Sequence, residues 1–251
     1  MTQHVGRLHP AALRAVVQVM RAEAVTGLSA TDAADHAAYS PFHFNRLFAA
    51  TTGVSPGAYL TSLRIDAAKR LLLADPAPVI DVATEVGFDS LSSFSRRFRA
   101  VVGTSPAAFR ALADHVDDGA VEPFRLVDPN QPTVRIRPRL PEHLRPGPRV
   151  ELWIGWFPKP APIGLPAAGA LTVSDAELEL PLCPDAPWLL SFAVSADACA
   201  RERLAPSAPL VARHPAPLTS PTNIDLHYRY ATPVDLPMLP ALPALAGPTS
   251  T

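Results

Sequence analysis

VIDVATEVGFDSLSSFSRRFRAVVGTSPAAFR, residues 79–110, decides the fold of the first half of this chain, because much of it occurs twice. Residues 34–59, ADHAAYSPFHFNRLFAATTGVSPGAY, hold the earlier copy. At an offset of 50, Phe44 pairs with Phe94, Arg46 with Arg96, Phe48 with Phe98, Gly53 with Gly103, Ser55-Pro56 with Ser105-Pro106, and Tyr59 with Phe109. Ahead of the turn the offset is 49, matching Ala34 with Ala83 and Tyr39 with Phe88, so the second turn carries one extra residue.

Each copy reads as helix, tight turn, helix. In the second, Val79, Val82, Ala83 and Val86 fall on one helical face. Gly87 follows at the helix end, where a left-handed backbone costs least without a Cβ. Phe88 then returns to the core, and Asp89 or Ser90 caps a new helix. The periodicity turns Leu91, Phe94 and Phe98 of that helix inward and leaves Ser92, Ser93, Arg96 and Arg97 on other faces. Hydroxyls and guanidiniums are the groups that bond base edges in the major groove and backbone phosphates. One such unit occurs in many helical bundles. Two at nearly equal spacing, each closed by Gly-x-Ser-Pro, point to paired DNA-reading helices.

Residues of about 10 to 115 resemble the DNA-binding region of the AraC/XylS family of transcription regulators. The resemblance is carried by Val82-Ala83, Gly87-Phe88, Phe94 with Arg96 two residues on, Phe98-Arg99, Gly103 with Ser105-Pro106, and Phe109-Arg110. It implies a homeodomain-like, all-α domain of seven helices, with two helix-turn-helix units on one long helix and both recognition helices facing the same side of the DNA. It also implies that Phe42, Asn45 and Arg46 meet base edges or flanking phosphates.

Composition neither advertises nor excludes this partner. Up to Val116 there are 11 Lys+Arg against 9 Asp+Glu, and beyond it 11 against 14, so the basic excess is confined to the first half and is small. The DNA reading therefore rests on motif geometry and local arginines. Cys183 and Cys199 are too far apart, and too few, for a zinc knuckle or a disulfide framework. Neither a basic and apolar leader nor an apolar run long enough to span a bilayer stands out, so a cytoplasmic, nucleoid-associated protein without a membrane partner is expected. No cofactor and no metal is expected.

Along the first half, Leu13, Val16, Val17 and Met20 recur at helical spacing, and Ser29 with Asp32 forms a capping arrangement for the next helix. Ala38 stands in the first turn without the glycine its partner copy has, which predicts a less comfortable backbone there. Ser40 and Pro41 open the first recognition helix. Phe44, Leu47 and Phe48 face inward, leaving Phe42, His43, Asn45 and Arg46 for DNA or solvent. Asn can grip adenine and Arg guanine with two hydrogen bonds each, and Phe can cover a thymine methyl.

Residues 56–74 read as one helix of about 28 Å, with Tyr59, Leu60, Leu63, Ala67 and Leu71 buried. Arg64, Lys69 and Arg70 are expected in solvent or at phosphates. Such a spacer holds two recognition helices about one DNA turn apart. In the second unit Arg96 is the foremost reader, because it recurs with Arg46. Arg97 is a phosphate or surface charge, and Leu91 stands where a polar side chain would read more sequence, so the first unit carries more specificity.

At about residue 117 the composition changes: of 30 prolines, 6 precede this point and 24 follow. That density excludes long helices and fits short strands with rigid loops. Alternation at Val134 and Ile136, at Val150 to Trp156, at Leu178 to Leu182 and at Ile224 to Tyr230, with the apolar run 188–194, predicts a β-sandwich or barrel. Residues 150–230 are similar in outline to the transthyretin-like or carboxypeptidase-regulatory sandwich. The expected division is 1–116 DNA-binding, 117–132 linker, and 133–251 a proline-rich β domain that senses a small-molecule effector or dimerises. Trp153, Trp156, Phe157, Trp188 and Phe192 either line a pocket or fill the core, and the apolar tail from Leu236 could dock a second copy.

The whole reads as a sequence-specific transcription regulator with double-stranded operator or promoter DNA as partner, and RNA polymerase too if it activates. Two alternatives stand beside it: an architectural DNA binder without an effector, and a DNA-repair enzyme fusion. Against an enzyme, Cys183 and Cys199 lack the context of a repair nucleophile, and no catalytic triad spacing, phosphate loop or HExxH motif occurs.

Overall fold

The computed structural model describes residues 6–117, 124–126, 131–144, 150–172 and 176–242. Most of the expected linker, 118–123 and 127–130, and the end of the apolar tail, from 243, lie outside the described residues. Among the described residues, seven helices precede the first strand: α1 (Pro10–Glu23), α2 (Ala30–His36), α3 (Pro41–Thr52), α4 (Pro56–Ala74), α5 (Val79–Glu85), α6 (Leu91–Val102) and α7 (Pro106–Asp117).

Local chemistry sets their ends. The Ser29 hydroxyl accepts from Asp32 N–H at 3.2 Å while the Asp32 carboxylate accepts from Ser29 N–H at 2.8 Å, closing a reciprocal box that starts α2. Ser55 and Ser90 cap α4 and α6 through Ala58 N–H and Ser93 N–H. Ser40 occupies the cap position of α3 without a side-chain bond, and Pro41 follows it. Gly53 and Gly103 end α3 and α6 at φ of 84° and 93°. Gly87 turns the second unit at φ of 81°, and in the first unit Ala38 adopts the left-handed backbone at φ of 57°, as its position predicts.

The internal repeat is also a repeat of packing. Phe44, Phe48 and Tyr59 stack in sequence at 5.3 and 5.4 Å between ring centroids, and Phe94, Phe98 and Phe109 do so at 5.5 and 5.6 Å. Each triad centres one of two helical cores that share α4.

The second half contains β1 (Phe124–Leu126), β2 (Thr133–Arg139), β3 (Val150–Phe157), β4 (Ala168–Thr172), β5 (Leu178–Pro181), β6 (Trp188–Ser195), β7 (Leu210–Arg213), β8 (Asn223–His227) and β9 (Arg229–Tyr230), with α8 (Ala200–Leu204) between β6 and β7. One sheet has the order β1-β4-β3-β6-β7-β9 and the other β5-β2-β8. The short β1, inside the span expected to be linker, pairs antiparallel with β4. In the smaller sheet β2 runs parallel to β8 and antiparallel to β5.

The two sheets share one core, in which Val134, Ile136 and Leu226 meet Leu152, Ile154, Trp156 and Leu189. On β2 the predicted alternation holds: Arg135, Arg137 and Arg139 point outward and pair with Glu177, Glu179 and Asp225. On β3 every residue is buried, because the larger sheet is covered on both faces. Its far face carries Trp153, Leu171 and Phe192 against Met238 and Leu242. Trp156 and Phe157 are also buried, Trp188 is half-buried, and the opening beside Trp153 and Phe192 is about 10 Å³. That volume holds about one water, so Trp153, Trp156 and Phe157 pack the interior, while Phe192 also borders a wider cleft beside the strap.

Two segments of the β half clamp the helical half. In the β3–β4 loop, Pro160 lies against Gly53 and Leu165 against Gly103, Gly164 N–H donates to Val101 C=O at 2.7 Å, and Ala161 enters the first helical core. The strap 232–242 runs back along α4. Val234 and Leu236 pack on the first helical core, Leu239 and Ala241 on the second, and Ala241 N–H bonds Val102 C=O at 2.8 Å. The described part of the apolar tail is therefore consumed inside its own chain, not free to dock a second copy.

The strap also corrects the reading of α4. Tyr59, Leu60 and Leu63 are buried as predicted, but Ala67 and Leu71 are only half-buried, and Ile65, Ala68, Lys69 and Leu72 are buried on the remaining faces. Lys69 is fully enclosed; its Nζ donates to Met238 C=O at 2.5 Å and Leu239 C=O at 3.1 Å.

Gly103→Ala tests the clamp. A Cβ there would stand 2.2 Å from Leu165 Cγ, on a backbone at φ of 93°. Strain and overpacking together predict a loss of about 2–4 kcal/mol, measurable as a lower urea midpoint; an unchanged midpoint would mean the loop is not seated on α6.

Candidate nucleic-acid interface

Phe44 and Phe48 of α3, and Phe94 and Phe98 of α6, are fully buried, which fixes the rotation of each helix about its axis. The opposite faces are thereby presented to solvent. On α3 these are Phe42, His43, Asn45 and Arg46; on α6, Ser92, Arg96 and Arg97, with Ser93 half-buried because its N–H is tied to the Ser90 hydroxyl at 3.3 Å. Every residue singled out from the sequence thus lies on one of the two helices, and the offset of 50 places Arg46 and Arg96 at equivalent positions.

Phe42 is 81% exposed. The His43 ring leans on Tyr39 at 5.5 Å between centroids, so its position is braced. Leu91 departs from its predicted inward orientation. It is 40% exposed, because as the first residue of α6 it projects past the core that Phe94 enters.

Hydrogen bonding separates the arginines into two groups that sequence reasoning merges. Arg64 donates to Ala24, Leu28 and Gly87 C=O, bracing the first unit against the turn of the second. Arg70 reaches Ala205 and Pro206 C=O on the β half, and Arg110 reaches Leu72 and Ala77 C=O. Arg21 holds Pro233 and Asp235 C=O of the strap. These guanidiniums, and the Lys69 ammonium, are committed to backbone carbonyls and are not phosphate contacts. Arg46, Arg96, Arg97 and Arg99 enter no hydrogen bond or ion pair among the described residues, so their donors are unengaged there. The repeat singles out Arg46 and Arg96, but no sequence signal separates Arg97 and Arg99 from Arg64, Arg70 and Arg110, since all show arginine at helical spacing.

Five N–H donors in a planar fork match a guanine edge or a phosphate. The clamp from the β half reaches Gly53 and Gly103, the C-terminal ends of α3 and α6, and leaves the N-terminal turns with Phe42 and Ser92 open. Among the described residues no cluster of His, Cys, Asp and Glu could hold a metal ion, and no helix is long and apolar enough to cross a membrane.

Residues 33–112 match the family described as a helix-turn-helix domain. The HTH-type transcriptional activator AarP of Providencia stuartii is 39% identical over 83 residues, 33% of this chain and 62% of that protein. The arabinose operon regulatory protein of Escherichia coli K12 is 38% identical over 90 residues, 36% of this chain and 31% of that protein. The chain thus spans less than two thirds of either relative. The crystal structure of the DNA-binding domain of AdpA, a global transcriptional factor in complex with a target DNA, aligns with 43% of this chain and 96% of its own at 31% identity, with a TM-score of 0.40.

Proposed function

We propose that residues 33–112, which match a helix-turn-helix domain, form a DNA-binding domain of the AraC type, and that the whole chain is a sequence-specific transcription regulator that reads two adjacent major-groove segments. Asn45 and Arg46 act as the main base readers of the first unit, with Phe42 on a thymine methyl and His43 beside it. Arg96 anchors the second, and Ser92, Ser93 and Arg97 bond edges or phosphates. The observation that carries this reading is the pair of equivalent faces on α3 and α6 whose arginines have no hydrogen-bond or ion-pair partner among the described residues, while the arginines of α4 and α7 do.

In this reading 1–116 is the DNA-binding domain, 117–132 a linker that lends β1 to the larger sheet, and 133–251 a sandwich-like regulatory domain without a catalytic role. That domain modulates DNA binding through a ligand or self-association, and an activating form would also meet RNA polymerase. The protein works in the cytoplasm, at the nucleoid.

Selection of bound sites from random duplexes by the full chain tests this. Two sequence blocks about 10 base pairs apart are expected. On the selected site, Arg46→Ala and Arg96→Ala should each weaken binding by about 1–3 kcal/mol, with relaxed preference at one base pair for Arg46→Ala. A uniform loss on all sequences would reassign Arg46 to phosphate, and no enriched motif would favour an architectural DNA binder.

A further inference from the structure

A cleft of about 390 Å³ opens at the seam between the helical half and the larger sheet. Its floor is the last turn of α3, at Thr51 and Thr52; Phe192 and Val211 form the sheet wall, and Val234 and Leu236 the strap wall. A space of this size suits a small organic molecule. The sheet and strap walls offer apolar side chains and the rest of the lining is polar, which suits a ligand with an apolar body and a polar head.

The charge around the cleft is unbalanced. Arg213, His227 and Arg229 face a single carboxylate, that of Asp235. Asp235 is already satisfied: Arg229 donates to it through two nitrogens at 2.7 and 2.8 Å, and the Thr232 N–H and hydroxyl each donate at 2.7 Å. Arg213 donates only to Pro160 C=O, at 3.2 Å, and enters no ion pair among the described residues. A guanidinium on the wall of this mixed cleft, with no ion-pair partner among the described residues, matches a carboxylate, which it can hold through two parallel bonds.

We infer that this cleft binds a small organic monocarboxylate, with Arg213 pairing the carboxylate and Phe192, Val211, Val234 and Leu236 covering its apolar body. This rests on the proposed regulatory role of the β domain and gives it a ligand class. The route to DNA is short. The cleft touches α3 of the first unit and nothing of the second, and Thr51 and Thr52 bond Leu47 and Phe48 C=O within α3 at 2.7 and 2.9 Å. An occupant wedged between the strap and α3 acts on one recognition helix relative to the other. DNA must then change the affinity for the carboxylate by the same factor as the carboxylate changes that for DNA.

The test uses the full chain and a panel of aryl and branched alkyl monocarboxylates, each matched with its neutral carboxamide, followed by ligand-observed NMR. Members of the panel should bind as carboxylates and at least about tenfold more weakly as amides. Arg213→Ala should bring the carboxylates down to the amide level without changing the melting temperature, since Arg213 is exposed. Equal binding of acids and amides, no effect of Arg213→Ala, or no binding acid in the panel overturns the site. Binding of the selected duplex is then measured by anisotropy with and without the best acid, and a shift of about 5- to 150-fold is expected. An acid that binds through Arg213 but leaves DNA affinity unchanged keeps the site and ends the regulatory reading. A neutral compound that shifts DNA affinity while no acid binds does the reverse.

Discussion

Arg203→Ala is expected to lower the free energy of unfolding by about 3–5 kcal/mol. Arg203 Nη2 lies 2.9 Å from Glu151 Oε1, with the two side chains only 7% and 2% exposed, and it also reaches Ala196 C=O at 2.6 Å. Glu151 sits on β3, in the middle of the larger sheet, where burial pushes its carboxyl up and Arg203 pulls it back. Truncating the arginine leaves that carboxyl buried without its counter-charge, either ionised at high cost or protonated out of its ordinary range. The loss extends to the domain seam, because α8 inserts Leu204 into the second helical core and Arg70 holds the carbonyls just beyond it. Replacing both partners, Arg203→Met with Glu151→Leu, removes the desolvation penalty along with the attraction and should cost far less. Urea unfolding of the single and double variants measures this. If the double variant is as damaged as Arg203→Ala, the uncompensated charge is not the cause.

The second large effect is a dependence on pH that traces to Lys69. Burial pulls its ammonium down to about 7, with Asp66 partly restoring it and Arg70 opposing it further, against an ordinary value of 10.5. Below the folded value both folded and unfolded chains hold the proton, so the folded state bears the full cost of an enclosed charge. Between the two values only the unfolded chain is protonated, and stability rises with pH by up to about 1.4 kcal/mol per unit. The gain is complete above the unfolded value. It amounts to about 5 kcal/mol, about three and a half pH units at that slope. The neutral amine still has N–H groups for the Met238 and Leu239 carbonyls, so the strap stays tied as the charge leaves. Chemical denaturation of the wild type and Lys69→Met from pH 6 to 10 is the measurement. The wild type should gain on the variant as pH rises, and parallel profiles would sink the assignment.

Lys69 also marks the limit of what its own neighbourhood in sequence reveals. Lys, Arg and Arg at 69, 70 and 64 read as a solvated face of α4, since nothing within a turn or two opposes it. The partners of Lys69 come from residues 238 and 239, and Arg70, besides its one-turn pair with Asp66, reaches 205 and 206. The aromatic set 153–192 is similar: periodicity marks it as facing away from water, but whether it encloses a ligand or meets a wall depends on Met238 and Leu242 arriving over the sheet. The apolar tail looked available to a second molecule for the same reason.

The sequence by itself determined the two helix-turn-helix units, their caps and left-handed turns, the length of α4, the outward set from Phe42 to Arg97, and the alternation on β2. Those features depend on steric and hydrogen-bonding rules that act across a few residues, so they are written where they operate. Only the tertiary structure decided which arginines keep free donors, where the strap lies, how β2 and β8 pair in parallel, and that a cleft remains between strap, sheet and α3. Each of these is settled by a surface that arrives from far along the chain, and burial of a side chain is a property of that arrival, not of its own sequence neighbours.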